Sequence, residues 1–119
     1  MQAKILHRTI KVKVIPSCKP GEEENYVYGE TVADKDGISV TIADDIQTDE
    51  DFVETILHEI LHAAEHATGR HLKHSAIHAL AAAQTQALIS LGLIDPAQWR
   101  AYMRANALRD SSVRPDSKP

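Results

Sequence analysis

Cysteine is nearly missing from this chain: Cys18 is the only one among 119 residues. An intrachain disulfide is therefore impossible and a cysteine-rich zinc site is excluded. A single unpaired thiol suits a reducing compartment. Aromatic residues are scarce too. Phe52, Trp99, Tyr26, Tyr28 and Tyr102 amount to 4%, so the core must be built mainly from aliphatic side chains and alanine. There is no excess of positive charge. Thirteen Lys and Arg against 17 Asp and Glu leave a net charge of −4, which argues against polybasic binding to nucleic acid or to an anionic membrane. A long apolar run is also lacking. The least charged stretch, residues 75–94, is broken by His78, Gln84, Thr85, Gln86 and Ser90 and does not read as a membrane span. Met1-Gln2-Ala3-Lys4 leads into strand-like alternation and not into the apolar segment of a secretory leader. The expected location is cytoplasmic, with neither nucleic acid nor membrane as partner.

What is present describes a globular chain. Its length corresponds to about one domain, and 43% hydrophobic with 25% charged residues is ordinary globular composition. A single domain is expected over residues 1–109. Residues 110–119, polar and with two prolines, are expected to form a flexible tail.

Residues 4–15 read as strand. Ile10, Val12 and Val14 alternate with Lys11 and Lys13, the period of two of a half-buried strand, and Pro16 ends it. Residues 16–25 have loop composition, including Cys18 and the solvated run Glu22-Glu23-Glu24. A second strand is placed at Tyr26–Thr31, and Asp36-Gly37 marks a turn. Ile38, Val40 and Ile42 alternate again, so the two strands around Asp36-Gly37 are expected to form a hairpin. Helical spacing begins near residue 49: Phe52, Val53, Ile56, Leu57, Ile60, Leu61 and Ala64 recur every three or four residues. Thr48 and Asp51 resemble a capping box, acidic residues 49–51 suit the positive helix end, and Gly69 is a stop. An alanine-rich second helix is expected from Lys73 to Leu91, before Gly92. Asp95-Pro96 starts a third, to about Leu108. On that helix Trp99 and Tyr102 are expected as packing residues.

Seven histidines are present, and six of them fall between positions 58 and 78. His58-Glu59-Ile60-Leu61-His62 matches H-E-x-x-H inside a helix, the context that gives this motif its meaning. Residues four apart share a helix face, so both histidines can reach one ion. Glu59, one step round, can reach a water on that ion and act as general base. The expected metal is zinc, which favours nitrogen ligands and in catalytic sites takes three from the protein. The third is not settled by spacing. Glu65 and His66 lie on the same helix, but His58, His62 and His66 span about 12 Å of rise, too far for one ion. His66 is then exposed or in an outer shell. His74 and His78, four apart at the start of the second helix, share a face with Ile77, Ala81, Thr85 and Leu88. At least one should point inward, and either can ligate. Tyr26, Tyr28, Arg70 and His71 are weaker candidates for stabilising an oxyanion.

These residues resemble a known family. From about Tyr28 to Leu91 the chain looks like the small metallopeptidase-like proteins of phage and prophage genomes called minimal gluzincins, related to SprT-like and ImmA/IrrE-type peptidases. The similarity covers Tyr28-Gly29, a strand like Ile38–Ile42, an acidic lead-in, and Thr55 through Ala63. The family then has a helix like E-x-x-V-x-x-L-A whose Glu is the third ligand. Here the matching stretch is His74 to Ala81, with His74 in place of that Glu. The resemblance thus implies a three-histidine site of His58, His62 and His74, with His78 as the alternative third ligand. SprT-like relatives also use a third histidine.

The expected fold is α+β: a small, mainly antiparallel sheet packed on the H-E-x-x-H helix and two further helices, as in zincins. Ile38–Ile42 is the expected strand for pairing with an extended peptide. The expected function is zinc-dependent hydrolysis of peptide bonds in a peptide or protein substrate, with Glu59 as base. Two readings stand beside it: a zinc-stabilised module of a phage accessory protein that binds a partner without catalysis, and a helical interaction protein without metal.

Overall fold

Alternation of β-branched residues and lysine produces the sheet, and one left-handed residue divides its first run. The computed structural model describes residues 1–6, 8–15, 29–35, 37–44 and 47–116, the last ten of these by backbone alone. Leu6 has φ +55° and breaks the expected single strand into a hairpin, Gln2–Ile5 (β1) antiparallel to Arg8–Ile15 (β2). Gly29–Asp34 (β3) and Gly37–Ala43 (β4) form the second expected hairpin, with Asp34 opposite Gly37. Asp36, Tyr26 to Tyr28 and the loop at 16–25, with Cys18 and Glu22–Glu24, lie outside the described residues.

The sheet is mixed, in the order β1-β2-β4-β3. Its outer pairings are antiparallel, but β2 and β4 run parallel, with Ile10 beside Ile38, Val12 beside Val40 and Val14 beside Ile42. All six of these side chains are buried on one face. This order corrects one expectation. Ile38–Ile42 is paired on both sides, so it has no edge to offer a peptide. Among the described residues the strand beside the first helix with one side unpaired is β3.

Three helices follow: Asp49–Thr68 (α1), His74–Ser90 (α2) and Pro96–Asp116 (α3). The Thr48 hydroxyl accepts from the Asp51 N–H at 3.1 Å, and α1 ends at Gly69 with φ +75°, a conformation open to glycine. Phe52, Ile56 and Ala63 of α1 close the core against the buried face of the sheet. α2 packs chiefly on α1, burying Ile77, Ala81 and Thr85, the face its spacing predicts. Asp95 caps α3, its Oδ1 accepting from the N–H groups of Ala97 and Gln98. The backbone of α3 stays helical past Leu108 and into the tail expected to fray, because no glycine or proline intervenes between Pro96 and Pro115.

An ion-pair cluster fixes α3. Arg100 Nε donates to Asp44 Oδ1 at 2.8 Å and Nη1 to Asp49 Oδ1 at 2.9 Å. Arg104 also pairs with Asp44, and the Arg100 guanidinium lies 5.1 Å from the Phe52 ring centroid. Trp99 packs on the core, but Tyr102 is 61% exposed, against expectation, because it falls on the outer face of α3. Among the described residues no helix is long and apolar enough to cross a membrane.

Candidate functional site

The helical repeat sets His58 and His62 on one face of α1, and the short connection after Gly69 brings the start of α2 against that face. His74 is the first residue of α2. Its ring centroid lies 5.1 Å from that of His58 and 5.4 Å from that of His62, while His58 and His62 are 4.9 Å apart. One nitrogen from each of these three rings lies within 4.8 Å of the others. His78 is one turn further along. Its ring is 6.1 Å from that of His58, outside that triangle but on the wall of the same cleft. Both His74 and His78 are exposed, against the expectation that at least one points inward, because Ile77 between them takes the buried position on α2.

The donor set fits a zinc ion. Tetrahedral ligands at about 2.0–2.1 Å from zinc stand about 3.4 Å from each other, and exposed His74 has room to close the difference. Burial holds the His58 imidazole below its usual range, and the neighbouring rings of His62, His74 and His78 push the same way. Both effects favour the neutral form of the ring, the one that can ligate.

Glu59 is only 7% exposed; it lines the same cleft as His58, His62 and His74 and reaches across to the sheet. The Thr31 hydroxyl of β3 donates to its Oε1 at 2.6 Å and also lies 3.1 Å from its carbonyl oxygen. Burial raises the Glu59 pKa above the ordinary carboxylate range. The Thr31 hydrogen bond and nearby His62 and His74 pull it down, Glu30 pushes it up, and burial prevails. Gly29 permits this closeness. A Cβ there would stand 2.7 Å from Thr55 Cγ2 and 2.9 Å from Glu59 Cγ. Gly29, Glu30 and Thr31 form one wall of a cleft of about 710 Å³, and His58, His62 and His74 lie across it.

Glu65, one turn beyond His62, does not face this cleft. Its Oε1 lies 2.9 Å from His62 Nδ1, and its Oε2 accepts from the Leu72 N–H at 2.7 Å. The Leu72 N–H is the main cause that lowers the Glu65 pKa; burial opposes it and His62 adds to the lowering.

The structure thus brings together His58, Glu59, His62 and His74, with His78 alongside. His66 is exposed at the rim. Arg70 and His71 line a neighbouring cleft of about 500 Å³ that shares His62, His66 and His74 with the first; neither lines the cleft holding Glu59, and His71 is 95% exposed. Tyr26 and Tyr28 lie outside the described residues. Sequence reasoning singled out Gly29 only within the family resemblance and gave no sign of its contact with Glu59, nor of that of Thr31; both reach Glu59 across 28 or more positions and leave no local signal. It also missed the role of Glu65, whose spacing of three from His62 did carry one.

Fold and site together define an α+β protein in which three histidines from two helices converge beside a buried carboxylate. Comparison with family models, with characterised proteins and with solved structures finds no match. Function is therefore argued from the site.

Proposed function

We propose that this protein is a zinc-dependent peptidase in which His58, His62 and His74 hold the metal and Glu59 is the general base. The observation that carries this reading is the buried carboxylate of Glu59 next to three converging imidazoles. A metal site that serves only stability needs no such base. A zinc ion held by His58, His62 and His74 would lower the pKa of a bound water toward about 7. Glu59 takes the proton of the attacking water and passes it to the departing amine. Thr31 holds Oε1 of that carboxylate, which leaves Oε2 for the proton. His78, on the wall of the same cleft, is the candidate donor to the oxygen that gains charge. The side of β3 left unpaired among the described residues offers backbone groups at Gly29–Thr31 to an extended peptide along the cleft.

Two measurements on one preparation test this: metal content, and cleavage of a mixed peptide pool. The expected result is about one zinc per chain, with cleavage abolished by chelation and by Glu59→Gln. A wild-type chain that takes up no zinc overturns the proposal. Zinc binding without cleavage leaves the partner-binding module.

A further inference from the structure

Glu65 lies behind His62 and does not itself line the cleft that holds Glu59. Its carboxylate is 10% exposed and makes two hydrogen bonds to different parts of the site, with exposed His71 Nδ1 a further 3.8 Å from Oε2. Oε1 meets His62 Nδ1 at 2.9 Å, and Oε2 meets the Leu72 N–H at 2.7 Å. An ionised carboxylate only accepts hydrogen bonds. His62 Nδ1 must therefore carry the proton, and the ring's lone pair is left on Nε2. Leu72 lies in the connection between α1 and α2, two residues before His74. The backbone of Glu65 holds the same connection from its other end, accepting from the Gly69 N–H at 2.9 Å.

We propose that Glu65 is a positioning residue that fixes the tautomer of His62 and the approach of His74 at once. This rests on the zinc reading above, but its two hydrogen bonds exist without metal. One side chain then sets the donor atom of a ligand on α1 and anchors the strand of chain that delivers the ligand on α2. Groups of this kind behind metal-binding histidines are worth about ten- to a hundredfold in metal affinity.

The test uses Glu65→Gln, which keeps size and shape, and Glu65→Ala. An amide cannot accept at both of its ends, so Glu65→Gln must give up one of the two contacts or offer His62 an N–H. In the metal-free wild type, long-range nitrogen–proton spectra should show His62 as the Nδ1–H tautomer and the Leu72 amide protected from exchange. Both variants should lose at least one of these signatures. Zinc affinity should fall about ten- to a hundredfold, while Glu65→Gln melts close to wild type. A wild-type His62 carrying its proton on Nε2 overturns the proposal. So does a Glu65→Gln affinity within about twofold of wild type. If the wild type takes no zinc, the metal reading fails, and the metal-free tautomer alone still decides for or against Glu65.

Discussion

Gly29 and Glu59 lie so close that a methyl group on the first would press into the second. A Cβ at Gly29 would be 2.9 Å from Glu59 Cγ and 3.2 Å from its Oε2, with Thr55 Cγ2 nearer still at 2.7 Å. Strand β3 can lie against α1 only because this position has no side chain. Gly29→Ala should force strand and helix apart and cost about 1–3 kcal/mol, as overpacking does. Thermal melting measures the loss. An unchanged melting temperature would mean that the contact relaxes freely.

Glu59→Gln separates chemistry from stability. Burial raises the Glu59 pKa above its usual 4.5, so the charged form is the one that folding disfavours. A raised carboxyl contributes stability below its unfolded pKa and loses that contribution as pH rises through the folded value. In zinc-free protein at neutral pH, Glu59→Gln should therefore melt above wild type, and the gap should close in acid. It should also keep zinc and abolish cleavage. Melting below wild type at neutral pH would show that Glu59 is there for structure.

His74→Ala and His78→Ala should part company. Among the described residues His74, and not His78, joins His58 and His62 in the cluster whose nitrogens lie within 4.8 Å. Its loss should weaken zinc binding by more than the ten- to hundredfold typical of an outer-shell partner, roughly. His78→Ala should retain zinc and lower the cleavage rate. Titration with zinc checks both, and the reverse pattern would move the third ligand one turn along α2.

Asp44 should show in the acid limb of stability. Burial alone would raise its pKa, but hydrogen bonds from Arg104 and Arg100, with their charge, hold it below 3.8. A lowered carboxyl contributes stability above its unfolded pKa and loses it as pH falls through the folded value. Asp44→Asn leaves Arg100 buried without that partner and should cost about 3 kcal/mol at neutral pH. The difference in melting temperature from wild type should shrink as pH drops below 3.8.

Much of this molecule is legible in its sequence, for local reasons. The alternation of Ile10, Val12 and Val14 with lysine marks β2, the spacing of Phe52 and Ile56 marks α1, and Gly69 and Asp95-Pro96 mark helix ends. The face of α2 that carries Ile77, Ala81 and Thr85 is also read correctly. What is not legible is non-local. Nothing in Ile38–Ile42 says that it pairs parallel to β2 and gives up its free edge, since alternation shows which face is buried and not which neighbour lies beside it. Thr31 and Glu59 are 28 positions apart, and only tertiary packing joins them. His74 and His78 have the same residue type and nearly the same helix face. Which of the two meets His58 and His62 is set by how α2 packs on α1.

The helix that carries His74 is fastened to the body chiefly along one seam, where it meets α1. An ion shared by His58, His62 and His74 would act as a rivet across that seam, joining segments that otherwise adhere through Ile77, Ala81 and Thr85. Stripping the metal should then loosen one panel of the structure and leave the rest firm. The amides of α2 should exchange faster on chelation, while those of β2 and β4 hold. In this molecule the reagent of the reaction would double as a fastener.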